Sequence, residues 1–387
     1  MDPIGIFFLV MAVTFIVPIL LSRLRIPQVT ALMIGGAVLG ANGIGMLPNS
    51  EAIVFLAQIG LVFLLFTIGL QFSPSSFHNV KKDAGLFALF NGGLPFAAGY
   101  FSGQWLGLPV YSSLALGAVY AASCIATVSG ALDELKLASS RFGAAIIVGL
   151  ILIDGISLLI FGVVTQASVG GFSSMLGNVF LTVVFLYASL RLVPFVHRLV
   201  HAHYFSSDFE EEMRLALLVL SVIVFIAGLL GMQPILGAFF AGLALSGVFK
   251  TRLMHAKIHA LAYGFLVPFF FIYAGMQADL SALFSPSSLD VILLVNISLI
   301  TTKIIGGFAA GILSGFSYRE SVALGFLSLP QLSATLAMMA AGVYIGIFSQ
   351  DLLTATLIMS VVTVLGGPFV AVALMKGQRK KKKQSRR

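Results

Sequence analysis

Charged residues are scarce in this 387-residue chain: Asp, Glu, Lys and Arg make up 9% of it, whereas 59% of the residues are hydrophobic. Such a composition excludes a soluble fold, because too few polar side chains remain to cover the surface. A single cysteine, Cys124, excludes a framework of intrachain disulfides. No Gly-x-Gly-x-x-Gly motif follows a strand pattern, and no basic folded domain is evident. We therefore expect no enzyme, no cofactor and no nucleic-acid partner.

Apolar runs of about 20 residues recur along the chain, which has a mean hydropathy of +1.07. A helix of that length crosses the hydrocarbon core of a bilayer, which is about 30 Å thick. Strands of an outer-membrane barrel would instead alternate with period two over about 10 residues. The sequence therefore predicts an all-α, polytopic membrane protein with about thirteen transmembrane helices. The expected spans are 4–22, 28–47, 52–70, 84–107, 109–131, 143–165, 171–195, 214–230, 232–248, 260–277, 287–315, 319–345 and 350–375.

Lysine and arginine are confined to alternate loops of this arrangement. Every one except Lys303 lies near or after the end of an odd-numbered span or in the polybasic tail 376–387, and the opposite loops 48–51, 166–171 and 349–351 contain none. The positive-inside rule then predicts an outside N-terminus and a cytoplasmic C-terminus in the inner membrane. The start of the chain lacks the basic region of a cleaved signal peptide, so we expect the first span to be retained. The tail is expected to touch anionic lipid headgroups.

Two ionisable side chains stand out inside the apolar spans. Asp154 is the one carboxylate deep in a span, and Lys303 is the one ammonium. An ionised group at the bilayer centre costs at least about 2.5–3.5 kcal/mol, and such groups usually serve ion pathways. A carboxylate binds either a proton or a hard cation, but not both. We expect Asp154 to bind a monovalent cation and a proton in turn. Lys303 either pairs with Asp154 or neutralises the ends of broken helices.

Two spans carry polar interruptions at the depth of these charges. Residues 121–130 of the fifth span include Ser123 and Thr127, whose hydroxyls are candidate ligands for a sodium or potassium ion held by Asp154. Residues 325–335 of the twelfth span include the second set of candidate polar residues, which are Pro330, Gln331 and Ser333. Breaks at corresponding places in two halves of a chain are typical of transporters built from inverted repeats.

With these residues the chain resembles the monovalent cation–proton antiporter superfamily, most closely its second, bacterial branch. That branch includes sodium–proton antiporters and the membrane part of glutathione-gated potassium efflux proteins. The resemblance implies two inverted repeats with crossed discontinuous helices, elevator-type exchange and a homodimer. It also implies core transport helices within 84–165 and 287–375 of a transmembrane domain 1–375, with dimerisation helices elsewhere. The stretches that carry it are Leu56–Leu70, Leu132–Leu137, Ser140–Gly143, Ile153–Asp154, Pro234–Leu243, Pro268–Gly275 and Lys303–Gly307.

Three departures from the family pattern each remove charge or polarity near the expected path. Ile153 stands where the family often has Asp, Asn or Gln, and Gln58 and Gln71 stand where it has glutamates. Residues 330–333 read Pro-Gln-Leu-Ser, without the usual Glu. With one acid left, the sequence predicts exchange of one cation, Na⁺ or K⁺, for one proton. The alternative is a passive cation channel or a potassium-efflux subunit that needs a cytoplasmic partner. A sodium-coupled carrier for organic anions on a related ten-helix fold fits the thirteen spans less well.

Overall fold

Helices make up the regular structure of the described residues in this computed structural model. The backbone is described for residues 3–23, 26, 28–41, 43–71, 80–138, 140–204, 209–248, 252–278 and 286–384. Within these ranges, the side chains of residues 3, 126, 167–176, 200–204, 209, 252–253, 286–287 and 376–384 are not described. The basic side chains predicted in the tail therefore lie outside the described part of the structure.

Fifteen α-helices occur in these ranges, and a π-helical turn, Ala262–Leu266, joins the tenth to the eleventh. They are α1 (Pro3–Ser22), α2 (Gln28–Leu39), α3 (Glu51–Leu70), α4 (Lys81–Trp105), α5 (Val110–Ala121), α6 (Ile125–Glu134), α7 (Arg141–Tyr204), α8 (Phe209–Leu229), α9 (Pro234–Ser246), α10 (Arg252–Leu261), α11 (Val267–Met276), α12 (Pro286–Leu313), α13 (Tyr318–Leu327), α14 (Ser333–Tyr344) and α15 (Gln350–Gln384).

The predicted spans correspond to these helices. Nine segments of the described residues are long and apolar enough to cross a membrane, and four shorter apolar helices, α2, α5, α9 and α14, account for the remaining predicted spans. One connection differs from the sequence prediction. A loop was expected at 166–171, whereas α7 stays helical from Arg141 to Tyr204 and contains two spans, Arg141–Gln166 and Gly177–Leu199. The connection contains glycines but no proline, so no backbone donor is missing and the backbone stays helical. Gly162 before it and Phe185 after it nevertheless both reach α9, at Leu236 and Phe240, so the chain bends back at this connection.

The helices pack in two groups. The first group, which we call the core bundle, contains α4, α5, α6 and α12 to α15, and the second, the outer bundle, contains α1 to α3 and α8 to α11. Helix α7 packs on both: Gly149 approaches Phe87 of α4, and Phe185 contacts Phe240 of α9. Apart from α7, the bundles touch sparsely, where α14 meets α3 and α15 meets α2.

Small residues allow the central helices of the core bundle to approach closely. A Cβ atom on Gly306 of α12 would lie 2.5 Å from the carbonyl oxygen of Phe90 in α4. One on Gly307 would lie 2.6 Å from the Cα of Gly325 in α13. Small residues at helix crossings are how membrane bundles gain close packing, since lipid supplies no hydrophobic drive. These contacts place α4 and α13 against the turn of α12 that carries Lys303.

An ion pair joins three elements at one end of the core bundle. Nε of Arg141 lies 2.7 Å from Oδ2 of Asp83, at the start of α4. Nη2 of Arg141 donates to the other carboxylate oxygen at 2.9 Å and to the carbonyl of Ser314, just after α12, at 3.1 Å. The guanidinium also lies 5.3 Å from the ring centre of Phe316. Bidentate geometry of this kind is favourable for Arg, so the pair ties the ends of α4, α7 and α12 together.

Candidate functional site

The first helix break separates α5 from α6. Helix α5 ends at Ala121 and α6 begins at Ile125, and the residues between them are extended, with φ −55° and ψ 164° at Ala122 and φ −106° and ψ 102° at Cys124. Backbone groups in the break have no helical partner, and within a membrane they must find one in the protein. The N–H of Ser123 finds its partner in Asp154, donating to Oδ1 at 2.9 Å.

The second break separates α13 from α14. Helix α13 ends at Leu327 and α14 begins at Ser333, and Leu332 between them has φ −143° and ψ −94°. Pro330 lies in this break and has no N–H to continue a helix. The N–H of Gln331 donates to the hydroxyl of Thr363 in α15 at 3.2 Å, so a neighbouring helix again satisfies the free backbone.

The two breaks meet, as the family resemblance implies for a pair of crossed discontinuous helices. The N–H of Cys124 donates to the carbonyl of Pro330 at 2.8 Å. The hydroxyl of Ser123 donates to the carbonyl of Ser328 at 3.3 Å, across 205 positions of sequence. The breaks thus satisfy part of each other's backbone, and their meeting point is the centre of the site.

Lys303 of α12 places its ammonium at the C-terminal end of α5. Its side chain is 0% exposed, and Nζ donates to the carbonyl of Ala121 at 2.6 Å and to the hydroxyl of Ser123 at 2.7 Å. A third bond runs to Oδ1 of Asn91 at 3.4 Å. The C-terminal end of a helix carries partial negative charge, which an ammonium stabilises. Of the two partners left open for Lys303, the ammonium contacts the end of a broken helix, at the carbonyl of Ala121.

Asp154 is buried without an ion pair. Its side chain is 3% exposed, and none of the described Lys or Arg side chains forms an ion pair with it. Lys303 and Asp154 nevertheless contact the same residue, because Ser123 meets one through its hydroxyl and the other through its N–H. The carboxylate is therefore close to a positive charge that other oxygens already hold.

The remaining predicted residues divide between the two breaks. The hydroxyl of Thr127 donates to the sulfur of Cys124 at 3.2 Å, one turn into α6. Gln331 is fully buried, its Oε1 accepts from the hydroxyl of Thr335 at 2.5 Å, and its Nε2 has no partner among the described residues. Ser333 is half-buried and begins α14.

Asn91 contributes to the site, although the sequence analysis did not identify it as a candidate. Its side chain is 0% exposed, and Nδ2 donates to the main-chain carbonyl of Lys303 at 2.9 Å and to the hydroxyl of Ser328 at 2.8 Å. The available signal was an amide in the middle of an otherwise apolar span, which must find partners inside the protein. Thr363 of α15 carried no comparable signal, since hydroxyls are common in such spans.

A family model described as "Sodium/hydrogen exchanger, transmembrane" matches residues 11–377 of the chain. The chain belongs to this family. It is therefore a multi-pass membrane transporter and not an enzyme.

Named relatives agree with this membership over most of their length. A protein of Methanocaldococcus jannaschii, "Probable Na(+)/H(+) antiporter 3", is 30% identical over 94% of this chain and 95% of its own. The "Na(+)/H(+)-K(+) antiporter GerN" of Bacillus cereus is 27% identical over 89% of each chain. Among solved structures, the sodium proton antiporter MjNhaP1 from Methanocaldococcus jannaschii at pH 8 superposes with a TM-score of 0.71. It covers 96% of this chain and 97% of its own at 17% identity, so it supports the fold. These matches do not favour the passive channel or the efflux subunit.

Proposed function

We propose that this antiporter exchanges a monovalent cation, Na⁺ or K⁺, for protons across the inner membrane, with Asp154 binding the cation and the proton in turn. The observation that carries the proposal is the environment of this carboxylate, which is 3% exposed and lies beside the meeting point of the two breaks. A buried carboxylate without a direct ion pair is unstable unless it takes up a proton or a cation. Asp154 is therefore suited to alternate between the two.

The ligands of the cation are proposed to come from Asp154 and the first break. Hard cations prefer oxygen ligands, and the non-helical residues 122–124 offer carbonyl oxygens, with the hydroxyl of Thr127 nearby. The hydroxyl of Ser123 is engaged with Lys303 and Ser328. We therefore assign Ser123 mainly to holding the two charged groups and keep its hydroxyl as a secondary ligand.

The second break is proposed to line the same ion path. Pro330 fixes its carbonyl against Cys124, and Gln331 carries a buried amide nitrogen without a partner among the described residues. A buried polar group of this kind usually meets water or an ion at some stage of function. Ser333, half-buried at the start of α14, is assigned to the path on its position alone.

Alternating access is proposed to occur by movement of the core bundle against the outer bundle, which forms the dimer. A cavity of about 860 Å³ lies between them, with α3, α8, α9 and α11 on one wall and α14 and α15 on the other. One hydrogen bond spans it, from Nε2 of Gln58 to the hydroxyl of Tyr344 at 3.2 Å. The cavity lies toward Gln277 and Gln350, at helix ends that the charge pattern predicts to be outside. Sparse contacts and a cavity between two bundles suit an elevator movement, here in its outward-facing state.

The assembly is proposed to be a homodimer in contact with anionic lipids. Helix α1 and the span Gly177–Leu199 are the least buried of the long spans, so their apolar faces are available to lipid or to a second copy. The polybasic tail 376–387 is suited to anionic headgroups on the cytoplasmic side.

The test is exchange by purified protein in liposomes loaded with a pH-sensitive dye. Addition of Na⁺ or K⁺ to the wild type is expected to dissipate a preset proton gradient. Asp154→Asn is expected to abolish this response, because an amide cannot alternate between a protonated and a cation-binding state. Cation-driven proton flux near the wild-type rate in this variant would show that Asp154 is not the carrier.

The matched control is Asp351→Asn at the start of α15. Its carboxylate accepts a hydrogen bond from the hydroxyl of Ser288 at 3.4 Å, and both residues lie at helix starts outside the two breaks. This variant is expected to keep exchange within about twofold of the wild type, since surface changes away from a site usually have small effects. A common loss in both variants would indicate damage to the fold instead.

A further inference from the structure

Asn91 lies in an apolar span, and its side chain makes three hydrogen bonds with residues of the site. It lies in the middle of α4, its side chain is 0% exposed, and its hydrogen bonds with the described residues reach Lys303 and Ser328. Two of them are short bonds from Nδ2, at 2.9 Å to the main-chain carbonyl of Lys303 and 2.8 Å to the hydroxyl of Ser328. The third joins Oδ1 to Nζ of Lys303 at 3.4 Å.

The orientation of this amide is determined by the chemistry of its partners. A main-chain carbonyl only accepts hydrogen bonds, so the nitrogen of Asn91 must face the carbonyl of Lys303. The oxygen is then turned toward an ammonium, which only donates. Both ends of the Asn91 side chain are thus fixed on the same lysine, one on its backbone and one on its charge.

Lys303 has three N–H donors and three oxygen partners. They are the carbonyl of Ala121, the hydroxyl of Ser123 and Oδ1 of Asn91. The lysine side chain is a flexible four-carbon stem, and Asp154 contacts the same Ser123. In a medium of low dielectric constant the ammonium and the carboxylate attract each other strongly. The set of three oxygens opposes that attraction by holding the ammonium at the end of α5.

We propose that Asn91 is a positioning residue for cation binding, which holds the ammonium of Lys303 at the end of α5 and so leaves Asp154 free to bind the cation. The inference rests on the proposed role of Asp154 as the ion carrier. Without the amide, the ammonium loses one of its three partners and its backbone loses the bond from Nδ2. The ammonium then turns toward Asp154 and competes there with the transported cation.

The experiment compares Asn91→Leu with Asn91→Gln in proteoliposomes at one fixed pH, with Na⁺ and K⁺ titrated separately. Asn91→Leu is expected to raise the KM for the cation about tenfold, the size of losing a hydrogen bond to a charged group, while the maximal rate stays within about threefold. Asn91→Gln keeps both the oxygen that faces the ammonium and the nitrogen that donates to the carbonyl of Lys303, and is expected to keep the KM near the wild-type value. A residue needed only for packing would give a defect in both variants.

The matched control is Asn296→Leu, on the same bundle. Asn296 of α12 also donates to main-chain carbonyls, those of Ile292 at 2.8 Å and Ala355 at 3.4 Å, which lie in α12 and α15. The Asn296→Leu variant is expected to leave the KM for the cation unchanged even if its melting temperature is lower. If Asn91→Leu protein is not recovered folded, Asn91→Ala removes the same amide without added bulk and decides the question in the same way.

The outcomes separate this inference from the proposed function. An unchanged KM in folded Asn91→Leu or Asn91→Ala overturns the inference, as does an equal rise in Asn296→Leu or Asn91→Gln. Asp154→Asn is measured alongside. If Asp154→Asn exchanges normally, the proposed function fails. If it is inactive while the Asn91 variants keep the wild-type KM, only the positioning role fails.

Discussion

Ser123 serves both charged residues of the site through different atoms. Its N–H donates to Asp154 at 2.9 Å, and its hydroxyl accepts from Lys303 at 2.7 Å and donates to the carbonyl of Ser328 at 3.3 Å. The bond to the carboxylate belongs to the main chain and survives any change of the side chain. The hydroxyl bonds belong to the side chain and can be removed separately.

Ser123→Ala is therefore expected to weaken the fold without abolishing exchange. Loss of the hydroxyl leaves one N–H of a buried ammonium unpartnered, which costs about 1–3 kcal/mol, and the melting temperature of the purified protein should fall. Exchange in liposomes should slow but persist, because the contact to Asp154 remains. Ser129→Ala, on α6 and half-buried, is the control and should melt near the wild type. Complete loss of exchange in well-folded Ser123→Ala would contradict this assignment.

The number of protons exchanged per cation also depends on single residues. Exchange that moves net charge needs two titrating groups per cation, and Ile153 removes the second acid beside Asp154. Only Lys303 is left, and its ammonium is held by three oxygens at the end of α5. We expect one proton per cation and no net charge moved. Proton flux should then be the same at different membrane potentials, clamped with an ionophore for an ion that the protein does not carry. A rate that changes clearly with potential would identify Lys303 as a second proton carrier.

At the scale of elements, the distance between α4 and α12 sets the geometry of Asn91 and Lys303. Gly306 lies three residues after Lys303, and Phe90 lies one residue before Asn91, so their close approach holds these two side chains together. The bundle tolerates no side chain at this crossing because backbone atoms, which cannot rotate away, occupy the space.

Gly306→Ala is expected to destabilise the core bundle. Its Cβ would lie 2.5 Å from the carbonyl oxygen of Phe90, and such overpacking typically costs about 1–3 kcal/mol. Gly93→Ala in α4 is the matched control, because nothing lies within 4 Å of its Cβ, and the added methyl group favours the helix. Thermal unfolding in detergent should show a lower melting temperature for Gly306→Ala and no decrease for Gly93→Ala. Equal melting temperatures would mean that α4 and α12 are not as close as described.

At the scale of the whole molecule, the orientation in the membrane follows from charge and the number of spans. The thirteen crossings that the sequence predicts would put the two ends on opposite sides, and from the basic loops we expect the C-terminal end in the cytoplasm. A reporter fused after Arg387 should be active on the cytoplasmic side, and a tag before Met1 should be accessible from outside. A cytoplasmic N-terminus would remove one span and require the repeats to be redrawn. The control is the same reporter inserted after Lys82, in a predicted cytoplasmic loop.

The sequence alone predicted the fold class, the number of spans and both helix breaks. Each rests on a local signal: apolar runs of bilayer length, charges confined to alternate loops, and Pro330 or small hydroxylated residues in the middle of a span. Asp154 and Lys303 were found in the same way, since an ionisable group in an apolar run is visible without a structure. The continuity of α7 was predicted wrongly, because glycine and serine indicate a loop but do not prevent a helix when no backbone donor is lost.

Only the tertiary structure decided which groups meet. The sequence left Lys303 with two possible partners, and the choice of Ala121 over Asp154 depends on where α12 packs against the end of α5. Asn91 became part of the site because α4 crosses α12 at Gly306, and the partners of Ser123 were decided by the crossing of the two breaks. These contacts join residues that are about 180 to 240 positions apart. Hydropathy and charge report the environment of each residue one at a time, whereas hydrogen-bond partners depend on the packing of distant helices.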